Sequence, residues 1–181
     1  MDHSNSISIL PKLTLILGGT ASGKSFYAET LAQKASNVVT YIATAQSLDK
    51  EMAEKINRHK KQRIPTWQTI EEPFDLVNAL QKISGNVILI ECATLWLTNL
   101  FLNKKDNLIT EKKKLLSTLK IGHIPVIIVS NEVGCGIVPS NILSREFRQE
   151  QGQLNAELAS QADLVIFVTA GLPHCLKGSL P

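Results

Sequence analysis

The sequence predicts a three-layer α/β fold with a mostly parallel sheet. Five aliphatic runs of strand length recur along the chain, and each is nearly unbroken rather than alternating, as in strands buried on both faces. Helix-length stretches separate them, which is the rhythm of right-handed β-α-β crossovers. A glycine-rich turn directly after the first run places a ligand site on that scaffold.

Taken in order, strands are expected at Leu13–Leu17 (LTLIL), Val38–Ala43, Val87–Ile90, Val126–Val129 and Leu164–Val168. Helices are expected over Lys24–Ala35, Asp49–Lys61, Phe74–Ile83, Glu111–Leu119 and Ile142–Gln161. Thr66–Ile70 reads as a short additional strand. Leu95–Leu102 reads either as a core helix or as an apolar face used for assembly. Residues 1–12 are polar up to Pro11 and read as a flexible N-terminal tail, leaving residues 13–181 as a single domain. Gly171–Pro181, with two glycines and two prolines, reads as surface chain without regular structure.

Composition narrows the function classes. Of 181 residues, 44% are hydrophobic and 19% charged, enough for a packed core and too apolar for intrinsic disorder. No aliphatic run approaches the roughly 20 residues of a membrane span, and no basic-then-apolar leader opens the chain. No stable membrane insertion is expected. The net charge of +3 is too mild to imply a nucleic-acid partner. Cys92, Cys135 and Cys175 are odd in number and far apart, which argues against a disulfide framework or a structural zinc site and points to a cytoplasmic setting.

Gly18-Gly19-Thr20-Ala21-Ser22-Gly23-Lys24-Ser25 fits G-x-x-x-x-G-K-[ST] at every specified position. Glycines there let backbone N–H groups turn inward around phosphate oxygens. Lys24 would reach the β- and γ-phosphates, and the Ser25 hydroxyl would ligate Mg²⁺. The helix that follows adds its positive end. The domain is therefore P-loop NTPase-like. Such a site needs a carboxylate at a neighbouring strand end, directly or through water. Glu91 closes the run Val87–Ile90 and is the candidate; the alternative is a carboxylate that caps a helix.

Residues 55–63 read KINRHKKQR, six of nine being Lys, Arg or His. A solvated, dipole-matched helix end explains that composition equally well. His59 falls on the helical face of Met52 and Ile56, away from Arg58 and Lys61. A neutral imidazole so placed would attack an α-phosphorus with nearby cations offsetting phosphate charge, or would be a structural histidine. Asn131 and Glu132 follow a strand C-terminus, where open α/β sheets bind ligands.

GGTASGKS, YIATAQSLDKEMAEKINRHKKQR, the W-x-T-x-E-E-P run Trp67–Pro73, LIECATLWLTNL and SNEVGCGIVP together resemble one family. It is the bifunctional adenosylcobinamide kinase / adenosylcobinamide-phosphate guanylyltransferases of cobalamin biosynthesis. The resemblance runs from Leu13 to about Lys177; the P-loop is generic, whereas Asn131–Pro139 and the Y-I-A-T segment are specific.

The resemblance implies two reactions. ATP or GTP phosphorylates a hydroxyl of adenosylcobinamide. GMP then passes from GTP, through a covalent GMP-histidine intermediate, to give adenosylcobinamide-GDP. The family's I-x-x-H histidine matches His59, and Lys24 joins it as catalytic. Implied nucleotide contacts are Gly19–Ser25, Gln46, Ser47, Leu48, Arg63 and Glu91, with Ser25 and Glu91 toward Mg²⁺. A homotrimer is implied as well. Two departures stand out. Thr20-Ala21 replaces the Ala-Arg frequent in relatives and removes a positive charge over the phosphates, and Cys135 takes the variable position of N-E-V-G-x-G, where it reads as a small space-filling residue. The competing reading is a single-function P-loop small-molecule kinase in which His59 is structural.

Overall fold

The computed structural model describes residues 10–181 except 48, 49, 51, 52, 55, 58, 59, 61–63 and 84. Its strands are β1 (Leu13–Gly18), β2 (Val39–Ala43), β3 (Gln68–Glu71), β4 (Val87–Glu91), β5 (Val126–Asn131), β6 (Leu164–Thr169) and β7 (Leu172–Lys177). Its helices, among the stretches described throughout, are α1 (Lys24–Ala35), α2 (Leu76–Gln81), α3 (Ala93–Asn103), α4 (Leu108–Ile121) and α5 (Ile142–Gln161), with a 3-10 turn at Lys105–Asn107. Residues 50, 53, 54, 56, 57 and 60 are also helical, within the predicted Asp49–Lys61 helix.

The seven strands form one sheet in the order β3-β2-β4-β5-β1-β6-β7, parallel except for the antiparallel β6–β7 pair. The aliphatic runs explain it: β1 is buried along its whole length and β4 and β5 nearly so, since helices cover both faces. On one face α2, α3, α4 and α5 pack on Leu15, Ile42, Ile90 and Ile128. On the other, Ala28, Leu31 and Ala32 of α1 pack with Trp67 on Ile16, Tyr41, Leu89 and Ile127. Strands β2–β5 lie to one side of β1, and β6 and β7 to the other. The connections diverge at β1, and the crevice of such a sheet opens at the carboxyl ends of its strands.

Two expectations change and one open alternative resolves. The chain after Gly171 is not irregular: Leu172–Lys177 is the edge strand β7, and an edge position lets Pro173 stand in a strand. The additional strand lies at Gln68–Glu71, shifted from Thr66–Ile70. The Leu95–Leu102 stretch belongs to α3, which buries Trp96, Leu97, Leu100 and Phe101 in the first core cluster, so the core-helix alternative holds. Of the segment read as a tail, residues 1–9 lie outside the described residues; Leu10 is buried in the second cluster, and the Lys12 carbonyl accepts from Val126 N–H at 2.9 Å. Among the described residues no helix is long and apolar enough to cross a membrane.

Candidate nucleotide site

Gly18 closes β1 and lies in register with Asn131 on one side and Val168 on the other. The chain then reverses. Ser22 N–H donates to Gly19 O at 3.3 Å, and Ala21 and Gly23 adopt positive φ of 58° and 93°. Gly23 is required twice over, by that φ and because a Cβ there would meet Gly171 Cα at 3.0 Å. α1 begins at the next residue with no side-chain cap, so its positive end and first-turn N–H groups serve the loop rather than a capping side chain. Lys24 is buried, and its Nζ donates to Gly19 O at 3.1 Å across the turn. Ser22 Oγ is buried with no hydrogen-bond partner among the described residues.

Ser25, in the first turn of α1, donates its hydroxyl to Glu91 Oε1 at 2.8 Å. In the sheet order β5 separates β4 from β1, yet α1 packs across β1, β4 and β5 and so carries Ser25 to the end of β4. Glu91 is held from the other side as well. Thr44 N–H donates to Glu91 O at 3.0 Å, and Thr44 Oγ1 both accepts from Cys92 N–H and donates to Cys92 O, each at 2.8 Å. Asn99 Nδ2 then donates to Thr44 O at 2.8 Å and Pro73 O at 3.0 Å. The carboxyl ends of β2 and β4 and the chain after β3 are thus stitched together beside the loop. Burial, with the Glu91 charge beside it, pushes the Cys92 thiol up to about 12. That thiol stays protonated and is no nucleophile.

Gln46 and Ser47 follow this stitched segment, the first half-buried and the second exposed. Asn131 N–H donates to Thr94 Oγ1 at 2.8 Å, and Glu132 N–H donates to Gly18 O at 3.0 Å, so the end of β5 borders the loop. The Glu132 carboxylate turns back to accept from Gly134 N–H. Cys135 is exposed and fills no interior gap, contrary to expectation, because residues 133–138 all lie on the surface. Lys60 Nζ pairs with Glu71 Oε1 at 2.5 Å, tying the basic helix to the end of β3. Leu48, His59 and Arg63 lie outside the described residues. Thr44, Asn99 and the Ala170-Gly171 turn were missed by sequence reasoning. Thr44 closes the Y-I-A-T segment, which marks the stretch as distinctive without giving the threonine a role.

The loop can cradle phosphate oxygens with N–H groups and a lysine. Ser25 and Glu91 offer two hard oxygen donors at its mouth, which suits Mg²⁺. These features define a P-loop NTPase-type α/β fold. Solved structures agree on the fold. The chain resembles the flagellar accessory protein FlaH from Methanocaldococcus jannaschii, with TM-score 0.54 and 17% identity, covering 97% of this chain and 85% of that one. It also resembles the RadB recombinase, with TM-score 0.53 and 17% identity, covering 88% and 75%.

The sequence pattern of the cobinamide kinase / cobinamide phosphate guanyltransferase family matches residues 14–176, and the chain belongs to that family. It is 45% identical over 169 residues to the bifunctional adenosylcobalamin biosynthesis protein CobP of Pseudomonas aeruginosa, covering 91% of this chain and 96% of the relative. It is 36% identical over 181 residues to the corresponding CobU protein of Escherichia coli K12, covering 91% and 99%. The chain is a transferase of cobalamin biosynthesis.

Proposed function

We propose that residues 13–181 act as one unit that phosphorylates adenosylcobinamide with ATP or GTP and then transfers GMP to the product. The observation that carries this reading is the Ser25–Glu91 contact at the mouth of the phosphate loop, in a chain of this family. Gly18, Gly19, Thr20, Ala21, Ser22 and Gly23 wrap the phosphates, Lys24 offsets charge on the β- and γ-phosphates, and Gln46, Ser47, Leu48 and Arg63 complete the nucleotide contacts. Ser25 and Glu91 would hold Mg²⁺, which when bound supplies charge neutralisation on the phosphate chain.

In the kinase step the corrinoid hydroxyl oxygen bonds to the γ-phosphorus, the bond to the β-phosphate oxygen breaks, and the nucleoside diphosphate leaves. In the second step neutral His59 attacks the α-phosphorus of GTP, an N–P bond forms and pyrophosphate leaves. A phosphate oxygen of the phosphorylated corrinoid then takes the GMP, and the N–P bond breaks. Splitting the transfer in two avoids holding GTP and a large corrinoid in one in-line geometry. The working form in this reading is a cytoplasmic homotrimer.

The test supplies adenosylcobinamide and ATP labelled at the γ-phosphorus, then unlabelled GTP, with the corrinoid products resolved by mass spectrometry. The reading expects a labelled phosphate ester first and a GDP-corrinoid after GTP. No phosphorylated corrinoid from protein that binds ATP contradicts it. A phosphate ester that GTP never converts leaves the single-function kinase.

A further inference from the structure

The C-terminal hairpin ends against the phosphate loop. Thr169 pairs with Leu172, leaving a two-residue turn of Ala170 and Gly171 with φ of 51° and 78°. Two successive left-handed residues are what a two-residue hairpin turn needs for its twist to match the strands. The turn projects from the carboxyl end of β6, the strand paired with β1, and there Gly171 N–H donates to Ser22 O at 2.8 Å. Gly23 packs on the same spot, with Gly171 Cα 3.0 Å from where its Cβ would be.

We propose that this turn is a strut for the phosphate loop and that Gly171 is a positioning residue for polyphosphate binding. A trans peptide points its carbonyl and its N–H in opposite directions. The peptide joining Ser22 to Gly23 has its carbonyl held by Gly171 on the outer side of the loop. Its N–H, that of Gly23, is thereby aimed at the opposite, concave side, where a phosphate oxygen would sit. Left to itself a peptide between two flexible positions can flip, because the residue after it is a glycine with φ of 93°. The bond to Gly171 selects one of the two orientations in advance, which lowers the ordering cost of binding. The hairpin thus belongs to the nucleotide site, although its sequence reads as surface chain without regular structure. The inference rests on the nucleotide reading above.

The test compares wild type with Gly171→Val and Gly171→Asn, titrating ATP and AMP by calorimetry. Valine is disfavoured at positive φ, whereas asparagine tolerates it. Nothing lies within 4 Å of a Cβ at position 171, so the substitutions probe backbone conformation rather than packing. Gly171→Val should weaken ATP binding about tenfold and leave AMP within about twofold, while Gly171→Asn keeps ATP within about threefold. Equal ATP affinity in Gly171→Val and wild type, or equal loss for ATP and AMP, overturns the proposal. Should Gly171→Val fail to fold, amide hydrogen exchange on wild type decides. Gly171 N–H should be protected without nucleotide and more protected with ATP; fast exchange in both states overturns it. Wild type that binds no ATP at all defeats the nucleotide reading first, a result distinct from the others.

Discussion

Ser25 Oγ donates to Glu91 Oε1 at 2.8 Å, joining the first turn of α1 to the last residue of β4 across 66 positions of sequence. Neither residue alone marks a reaction. Together, beside the phosphate loop, they bring a hydroxyl and a carboxylate within hydrogen-bond reach, the pair of oxygen donors to which the proposed function assigns the metal of a nucleoside triphosphate complex.

Glu91→Gln keeps the shape and an acceptor for Ser25 but removes the charge. Kinase turnover should fall about 100- to 1,000-fold, the scale for deleting one preorganised electrostatic contact. The melting temperature should hold, and raising Mg²⁺ should recover part of the loss. Steady-state assays over a Mg²⁺ series check this; unchanged turnover at low Mg²⁺ would remove Glu91 from the site.

Ala21 is exposed at the crest of the loop and already holds a left-handed φ of 58°. Ala21→Arg therefore adds little backbone strain and sets a positive charge over the phosphates. Triphosphate binding should tighten about two- to fivefold, as expected for a partly screened surface charge. The gain should shrink as salt rises. Titration calorimetry at two ionic strengths tests both statements.

How much of this was legible in the sequence differs by element. The aliphatic runs of β1, β4, β5 and β6 announce buried strands because both faces need apolar cover, and the glycines with Lys24 and Ser25 announce the phosphate loop. Glu91 was legible as a strand-end carboxylate, but its contact with Ser25 depends on α1 crossing β5, which no local pattern encodes. β7 was hidden because its residues are mostly exposed and include Pro173, tolerated only at an edge. The roles of Thr44 and Asn99 were hidden for another reason: their partners are backbone groups far along the chain, Cys92 being 48 residues after Thr44, and Thr44 and Pro73 being 55 and 26 residues before Asn99.

Asn99 is buried and satisfies the carbonyls of Thr44 and Pro73 together. Asn99→Leu leaves both acceptors without that donor and should cost about 2–4 kcal/mol. Urea unfolding measures this. A change below about 1 kcal/mol would mean that the carbonyls find other partners readily.

Cys92 provides a pH signature. Its folded pKa is raised from 9.0 to about 12, so the folded state holds the proton more tightly than the unfolded chain. The resulting stabilisation is complete below pH 9.0 and is lost as the pH rises towards about 12. Cys92→Ala should therefore lose less stability than wild type between those limits, and identical alkaline slopes in urea denaturation would contradict the assignment.

The central claim, guanylyl transfer through His59, is tested most directly by incubating the protein with Mg²⁺ and GTP labelled at the α-phosphorus. Wild type should retain label after denaturation, stable to base and released by acid as a phosphoramidate is, and His59→Ala should retain none. Folded, GTP-binding wild type that takes up no label, or His59→Ala that labels equally, would contradict the account.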